Sequence, residues 1–316
     1  MEDHLTRRKM LLTLGGAVLG VAASACSHPR SSTTPAPGSI DALTEGAGQL
    51  SMLGPTTPVN PGPQPFAFFL LAGQSLLAGA QPSVWYAKDP AGKAAGPIKS
   101  SWYPLQGYDA THDTSPRSPL AIGVYVADVD LTSTGIWTIA ASVMMNGRSL
   151  AGTSAVPVTT DQLPAAVGSK ARPTRTPVAT TMHGLEEICT RRPPDAMHYI
   201  SLDDATRNGK PTVVSFATPL LCQSQTCGPV VDEQILVFEQ YGPQRANFIH
   251  VEEFLPGRDL QPAPATPQNL SPGFKAWSFQ DEPWVIVIDR MGIIRSRLGP
   301  GATAAPQIEA ALRPLL

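Results

Sequence analysis

Two cysteines five positions apart constrain this chain more than any other feature. They are Cys222 and Cys227, in the stretch Phe216–Glu233, FATPLLCQSQTCGPVVDE. A continuous apolar run, VVSFAT, leads into the first, and Gly228-Pro229 and a helical apolar spacing follow the second. A pair set between a buried strand and a helix is a redox centre, a metal site or a staple. Disulfides persist in oxidising compartments, so the choice depends first on where the chain folds.

The N-terminus bears on that point. Arg7, Arg8 and Lys9 form a basic head, an apolar run extends from Met10 to Ala25, and Cys26 follows the small residues AASA. This is the three-part layout of an export signal, residues 1–26. The apolar run is shorter than the roughly 20 residues that a spanning helix needs. TRRKMLL resembles a twin-arginine export signal. AASAC resembles the lipobox of bacterial lipoproteins, with Ala23 where a leucine is usual. That resemblance implies lipid attachment at Cys26 and a place on the extracytoplasmic face of the cell membrane, where disulfides are tolerated. Residues 27–65 are rich in Pro, Gly, Ser and Thr without an apolar period, and are expected to be a disordered tether.

The net charge is −2 and the pI near 6.3, which leaves no electrostatic footprint for nucleic acid. Charged residues make up 15%, below the typical ~25%, and there are 33 prolines, a balance suited to a secreted, loop-rich protein. The length beyond the tether allows two domains. Over residues 66–158, aromatic and β-branched runs such as FAFFLLA, SVWYAKD, AIGVYVADVDL and GIWTIAASVMM alternate with Gly, Pro, Asn and Asp clusters. An all-β sandwich follows. YVADVDLTSTGIWTIAASVMMNG resembles immunoglobulin-like domains, with Trp137 as a core residue. His112 lies in a polar loop with no second ligand at metal spacing. Nothing in this part calls for catalysis.

Residues 159–196 form a proline-rich linker that carries Cys189. His183 and His198 flank that cysteine at spacings that make no recognisable metal site; as the odd thiol out, Cys189 is expected to be buried at the domain junction or else to pair between chains. From residue 197 strands and helices alternate. MHYIS, KPTVVSFAT and ANFIHVEEF read as strands, GPVVDEQILVFEQYG as a helix, PWVIVIDRMGIIRSRLG as a hairpin and ATAAPQIEAALRPLL as a closing helix. Ser201 and Gly209 suit the two ends of a short helix between the first two strands.

That order, with the cysteine pair before the second helix, resembles the thioredoxin-like thiol–disulfide oxidoreductases over residues 197–316. TCGPVVDE is similar to the start of the family's active-site helix, and EPWVIVIDRMG to the segment whose cis-proline faces the cysteines. The resemblance implies a multidomain chain, an immunoglobulin-like sandwich followed by an α/β thioredoxin-like domain. It further implies Pro283 as the cis-proline, Trp284 beside a client groove or, on the plainer reading, as a core aromatic, exported client proteins, a redox recycling partner and no bound organic cofactor. The family's usual spacer is two residues, whereas here it is four. A helix N-terminus favours the thiolate, which points to Cys227 as the attacking thiol with Cys222 resolving, and the reverse stays open. Three alternatives stand beside this. A copper chaperone-like module would join His250 to the cysteine pair. A peroxiredoxin-like peroxidase would use Ser224 to Cys227 with Arg258, although Pro219 falls one residue off that motif. A non-catalytic, partner-binding lipoprotein would need none of these.

Overall fold

The computed structural model describes residues 34–105, 122–222, 226–254 and 266–316. Its backbone is mostly β-sheet with few helices, in three sheets. The first part contains α1 (Ile40–Thr44), β1 (Gly48–Gln49), β2 (Ser51–Leu53), β3 (Gly62–Ala72), β4 (Ser75–Leu76) and β5 (Ser83–Ala87). It continues with β6 (Ala95–Lys99), β7 (Ser101–Pro104), β8 (Gly123–Leu131), β9 (Gly135–Met145) and β10 (Arg148–Val158). One sheet has the order β1-β10-β9-β5-β6; the other runs β2-β3-β8-β7, with β4 paired to β3. Phe66, Phe68 and Tyr125 from the second sheet meet Val84, Trp137 and Ile139 from the first in one apolar core.

On β8 the inward residues are Tyr125, Ala127, Val129 and Leu131, each buried. Val124 and Val126 face the other way, yet they too are covered, because Ala302 and Ala304 from the far end of the chain pack on that face. A strand buried on both faces loses clean alternation, which is why its period reads imperfectly in the sequence.

The tether expected over residues 27–65 is built into the fold from Ile40 onward. β1 pairs with β10 and β2 with β3, and Leu50 and Met52 are 3% and 6% exposed. Two apolar residues in QLSML are too few to show a period, but they suffice to fill the sandwich core. The linker is likewise laid down on the second part. Ala171 N–H donates to Gly292 O, Thr176 Oγ1 accepts from Leu202 N–H, and Ser201 Oγ accepts from Thr176 N–H. Thr174 and Thr176 are buried, and Thr176 Oγ1 satisfies a backbone N–H where the strap lacks a ladder of its own.

The second part comprises α2 (Met182–Ile188), α3 (Leu202–Ala205), β11 (Thr212–Phe216), α4 (Cys227–Arg245) and β12 (Asn247–Val251). α5 (Pro272–Trp277), β13 (Trp284–Ile288), β14 (Ile294–Leu298) and α6 (Ala305–Leu312) complete it. Its sheet has the order β12-β11-β13-β14, parallel between β11 and β12 and antiparallel beyond. Every residue of β11, β12 and β13 is buried, with Phe216, Trp277 and Trp284 on one face and Val213, Phe248 and Ile308 on the other. This is why those strands read as unbroken apolar runs. The hairpin turns on Asp289, whose Oδ1 accepts from Met291 and Ile293 N–H, and on Gly292 at φ 76°.

MHYIS is not a strand. Asp195 Oδ1 accepts from Met197 N–H, and this local bond curls the chain; only one rung, His250 N–H to Met197 O, joins it to β12. The sandwich also touches the second part. Phe69 and Val124 pack against Ala302 and Ala304, and Thr57 hydrogen-bonds Asp281. No helix among the described residues is long and apolar enough to cross a membrane.

Tyr125 provides a stability test of the first part. Its buried hydroxyl donates to Leu77 O and accepts from Ala80 N–H at 2.8 Å. Tyr125→Phe strands both backbone groups and should cost about 1–3 kcal/mol in chemical denaturation. A cost near zero would mean that these two groups find other partners.

Candidate functional site

β11 delivers the chain to the start of α4, which has Thr226 at its N-cap and is broken near its end at Gly242, φ 70°. Pro229 occupies the first turn, where a missing N–H costs nothing. Cys227 is the first helical residue, and it is bonded to Cys222 with a Cα–Cα separation of 6.0 Å. Cys227 N–H donates to Cys222 Sγ at 3.3 Å. Burial separates the two: Cys227 is 0% exposed and packed in the core, while Cys222 is half-buried at its edge.

Glu282 faces this pair. One of its carboxylate oxygens and the two sulfurs all lie within 4.8 Å of one another. The Glu282–Pro283 peptide, just ahead of β13, is cis. Burial, and then the neighbouring charge of Glu253, push the Glu282 carboxyl well above the usual carboxylate range. Glu253 is raised to about 6, chiefly by burial, against a hydrogen bond from Glu282 that pulls it down. The two directions agree on one arrangement: Glu282 keeps its proton and donates it towards the Glu253 carboxylate. Glu282 Oε2 has no hydrogen-bond partner, and it is buried.

The groove role expected of Trp284 does not hold. Its ring is 1% exposed, stacked on Phe279 at 5.3 Å, with Nε1 donating to Asp281 Oδ1 at 2.9 Å. It is a core aromatic, and a side chain without exposed surface meets no client.

A second polar cluster lies under β12. Cys189, at the end of α2, is buried together with Asp195, His198 and His250. Cys189 Sγ is 3.2 Å from Asp195 Oδ2 and 3.8 Å from His250 Nδ1. His250 Nδ1 is 2.7 Å from the same carboxylate oxygen. Thr190 fixes the segment by donating N–H and Oγ1–H to Glu252. Burial alone would lower the His198 pKa, but the Asp195 carboxylate and then Cys189 outweigh it and raise it to about 9. His250 moves well above the imidazole range in the same way, opposed by burial and driven by Asp195 and Glu252.

No family model matches the chain, and no curated protein matches it significantly.

Cys26, His112, Ser224 and Arg258 lie outside the described residues. His250, expected as a third ligand beside Cys222 and Cys227 for copper, sits with Cys189 instead; the residue grouped with the cysteine pair is Glu282. His183 pairs with Glu187 on the surface, apart from either cluster. Sequence reasoning missed Glu282, Glu253 and Asp195. Glu282 could have been flagged by its place directly before the expected cis-proline, and Asp195 by its place between Cys189 and His198 in CTRRPPDAMH.

Proposed function

We propose that the chain is an exported protein, held by a lipid on Cys26 at the outer face of the cell membrane, whose thioredoxin-like second part exchanges disulfides with exported client proteins through Cys222 and Cys227. The observation that carries this reading is the cysteine pair at the N-terminus of α4 with Glu282 beside both sulfurs. The immunoglobulin-like sandwich ahead of it, residues 66–158, presents this site to clients and takes no part in the chemistry.

Exposure favours Cys222 as the attacking sulfur, reversing the order expected from helix position alone. The Cys227 N–H and the α4 N-terminus lower the energy of a Cys222 thiolate. In the reductive direction this thiolate attacks one sulfur of a client disulfide. A Cys222–client bond forms, the client bond breaks, and the departing thiolate takes a proton. The Cys227 thiol loses its proton, attacks Cys222 Sγ and releases the second client sulfur. The client has gained two electrons and two protons, and the Cys222–Cys227 bond has formed. A separate dithiol partner then reduces the pair. Glu282, whose carboxyl is pushed well above the usual range by burial and by Glu253, is placed to pass a proton to or from the sulfurs at these steps.

The test follows the reduction of a scrambled-disulfide protein by the full chain with a dithiol reductant. The reading expects catalysis by the wild type and none by Cys222→Ser. Equal rates for the two would leave the pair as a staple.

A further inference from the structure

We infer that Cys189, Asp195, His198 and His250 form a binding site for a divalent transition metal of the zinc class. One donor atom from each lies within 4.8 Å of the others, and all four residues are buried. Zinc takes four such ligands at about 2.3 Å for sulfur and about 2.0 Å for nitrogen or oxygen, so a tetrahedron places its donors roughly 3.3–3.7 Å apart. The measured separations bracket that range: 3.2 Å for Cys189 Sγ to Asp195 Oδ2, 3.8 Å for Cys189 Sγ to His250 Nδ1, and 3.7 Å for His198 Nε2 to Asp195 Oδ2. The His250 Nδ1 to Asp195 Oδ2 pair is closer still, at 2.7 Å, and there a shared proton stands where an ion would.

His198 supplies the independent observation. Its ring is 3% exposed, and Nε2 has no hydrogen-bond partner while it faces this cluster. A buried imidazole nitrogen that lies beyond hydrogen-bond distance of its neighbours and points at the other three donors is placed to ligate an ion.

The outer contacts are those a metal site needs. His250 Nε2 donates to Ala217 O at 3.0 Å, which leaves Nδ1 as the ligating atom. Asp195 Oδ1 accepts from Met197 N–H at 2.9 Å, which turns Oδ2 towards the sulfur. A cavity of about 220 Å³, lined by Pro177, Ile188, His198, His250 and Glu252, opens beside the cluster and provides a way in. One thiolate, two imidazoles and one carboxylate suit zinc better than the hard cations, which take oxygen alone. Sequence spacing hides the set because His250 comes from a strand 52 positions beyond His198.

The experiment uses the full chain with the Cys222–Cys227 disulfide formed, so that those sulfurs cannot ligate. Zinc is titrated against a chromogenic chelator, and cobalt is added as a spectroscopic probe. The site predicts one equivalent of zinc, a raised Tm, and a tetrahedral cobalt spectrum with a thiolate-to-cobalt charge-transfer band. Cys189→Ser should abolish that band, and His198→Gln should weaken zinc binding at least about tenfold. His198→Gln keeps a polar side chain of similar reach at this position, and a circular-dichroism check that it is folded lets it serve if the cysteine variant does not fold. Absence of one-to-one zinc binding, or binding unchanged in both variants, would overturn the assignment and leave the cluster as a buried polar network.

Discussion

Cys227→Ser should react once with a client disulfide and then remain attached to it, whereas Cys222→Ser should not react at all. The asymmetry follows from depth. Cys222 is half-buried at the edge of the core and receives the Cys227 N–H, while Cys227 is fully buried and reaches only its partner. A buried thiol in apolar surroundings is a poor nucleophile towards another protein, but it is well placed to attack a neighbour 6.0 Å away by Cα. Mass spectrometry of the acid-quenched reaction reads the adduct directly. The account requires a covalent Cys222–client species in the Cys227→Ser sample and turnover at background in both variants. An adduct that forms on Cys227 instead would restore the opposite order.

The second large effect belongs to Glu282. Its carboxyl is held well above the usual range by burial and by Glu253, and Glu253 itself is raised to about 6. A carboxylate whose folded pKa lies above its unfolded value binds its proton more tightly in the native state. The native state therefore gains most below the unfolded pKa of about 4.5 and loses that gain as pH climbs through about 6 and beyond. For Glu253 the shift from 4.5 to about 6 amounts to on the order of 1–2 kcal/mol once solvent screening is allowed for. Glu282→Gln copies the protonated acid, keeping a donor for Glu253 without the charge. The variant should match the wild type near pH 5 and become more stable than it at alkaline pH, by roughly 2–4 °C in Tm per kcal/mol. Its Cys222 thiol should also lose any dependence on a second group titrating beside it. A stability difference that is flat from pH 5 to pH 9 would show that Glu282 does not hold its proton as argued.

Much of the second part is legible in the sequence because its signals are local. The runs VVSFA and WVIVI are continuous, so β11 and β13 announce themselves, and Cys-Gly-Pro marks the start of α4. The Asp289 to Gly292 turn carries its own chemistry. What failed was information held elsewhere in the chain. Leu50 and Met52 look like parts of a tether until β10 and β3 pair with their strands. MHYIS looks like a strand until Asp195 bends it. Helix position alone leaves the order of the two cysteines open, because sequence gives proximity to a dipole but not depth below the surface. Glu282, Glu253 and Asp195 are unremarkable as letters, and only the fold brings Glu282 to the sulfurs and Asp195 and His250 to Cys189.

The pair's own equilibrium tests the redox reading most directly. The full chain is brought to equilibrium in a series of thiol–disulfide buffers, and the fraction of free Cys222 and Cys227 is read by alkylation. A working exchange pair should convert reversibly at a potential between about −120 and −270 mV. A bond that stays closed in buffers poised below about −300 mV is a structural staple, and the exchange function would then be wrong.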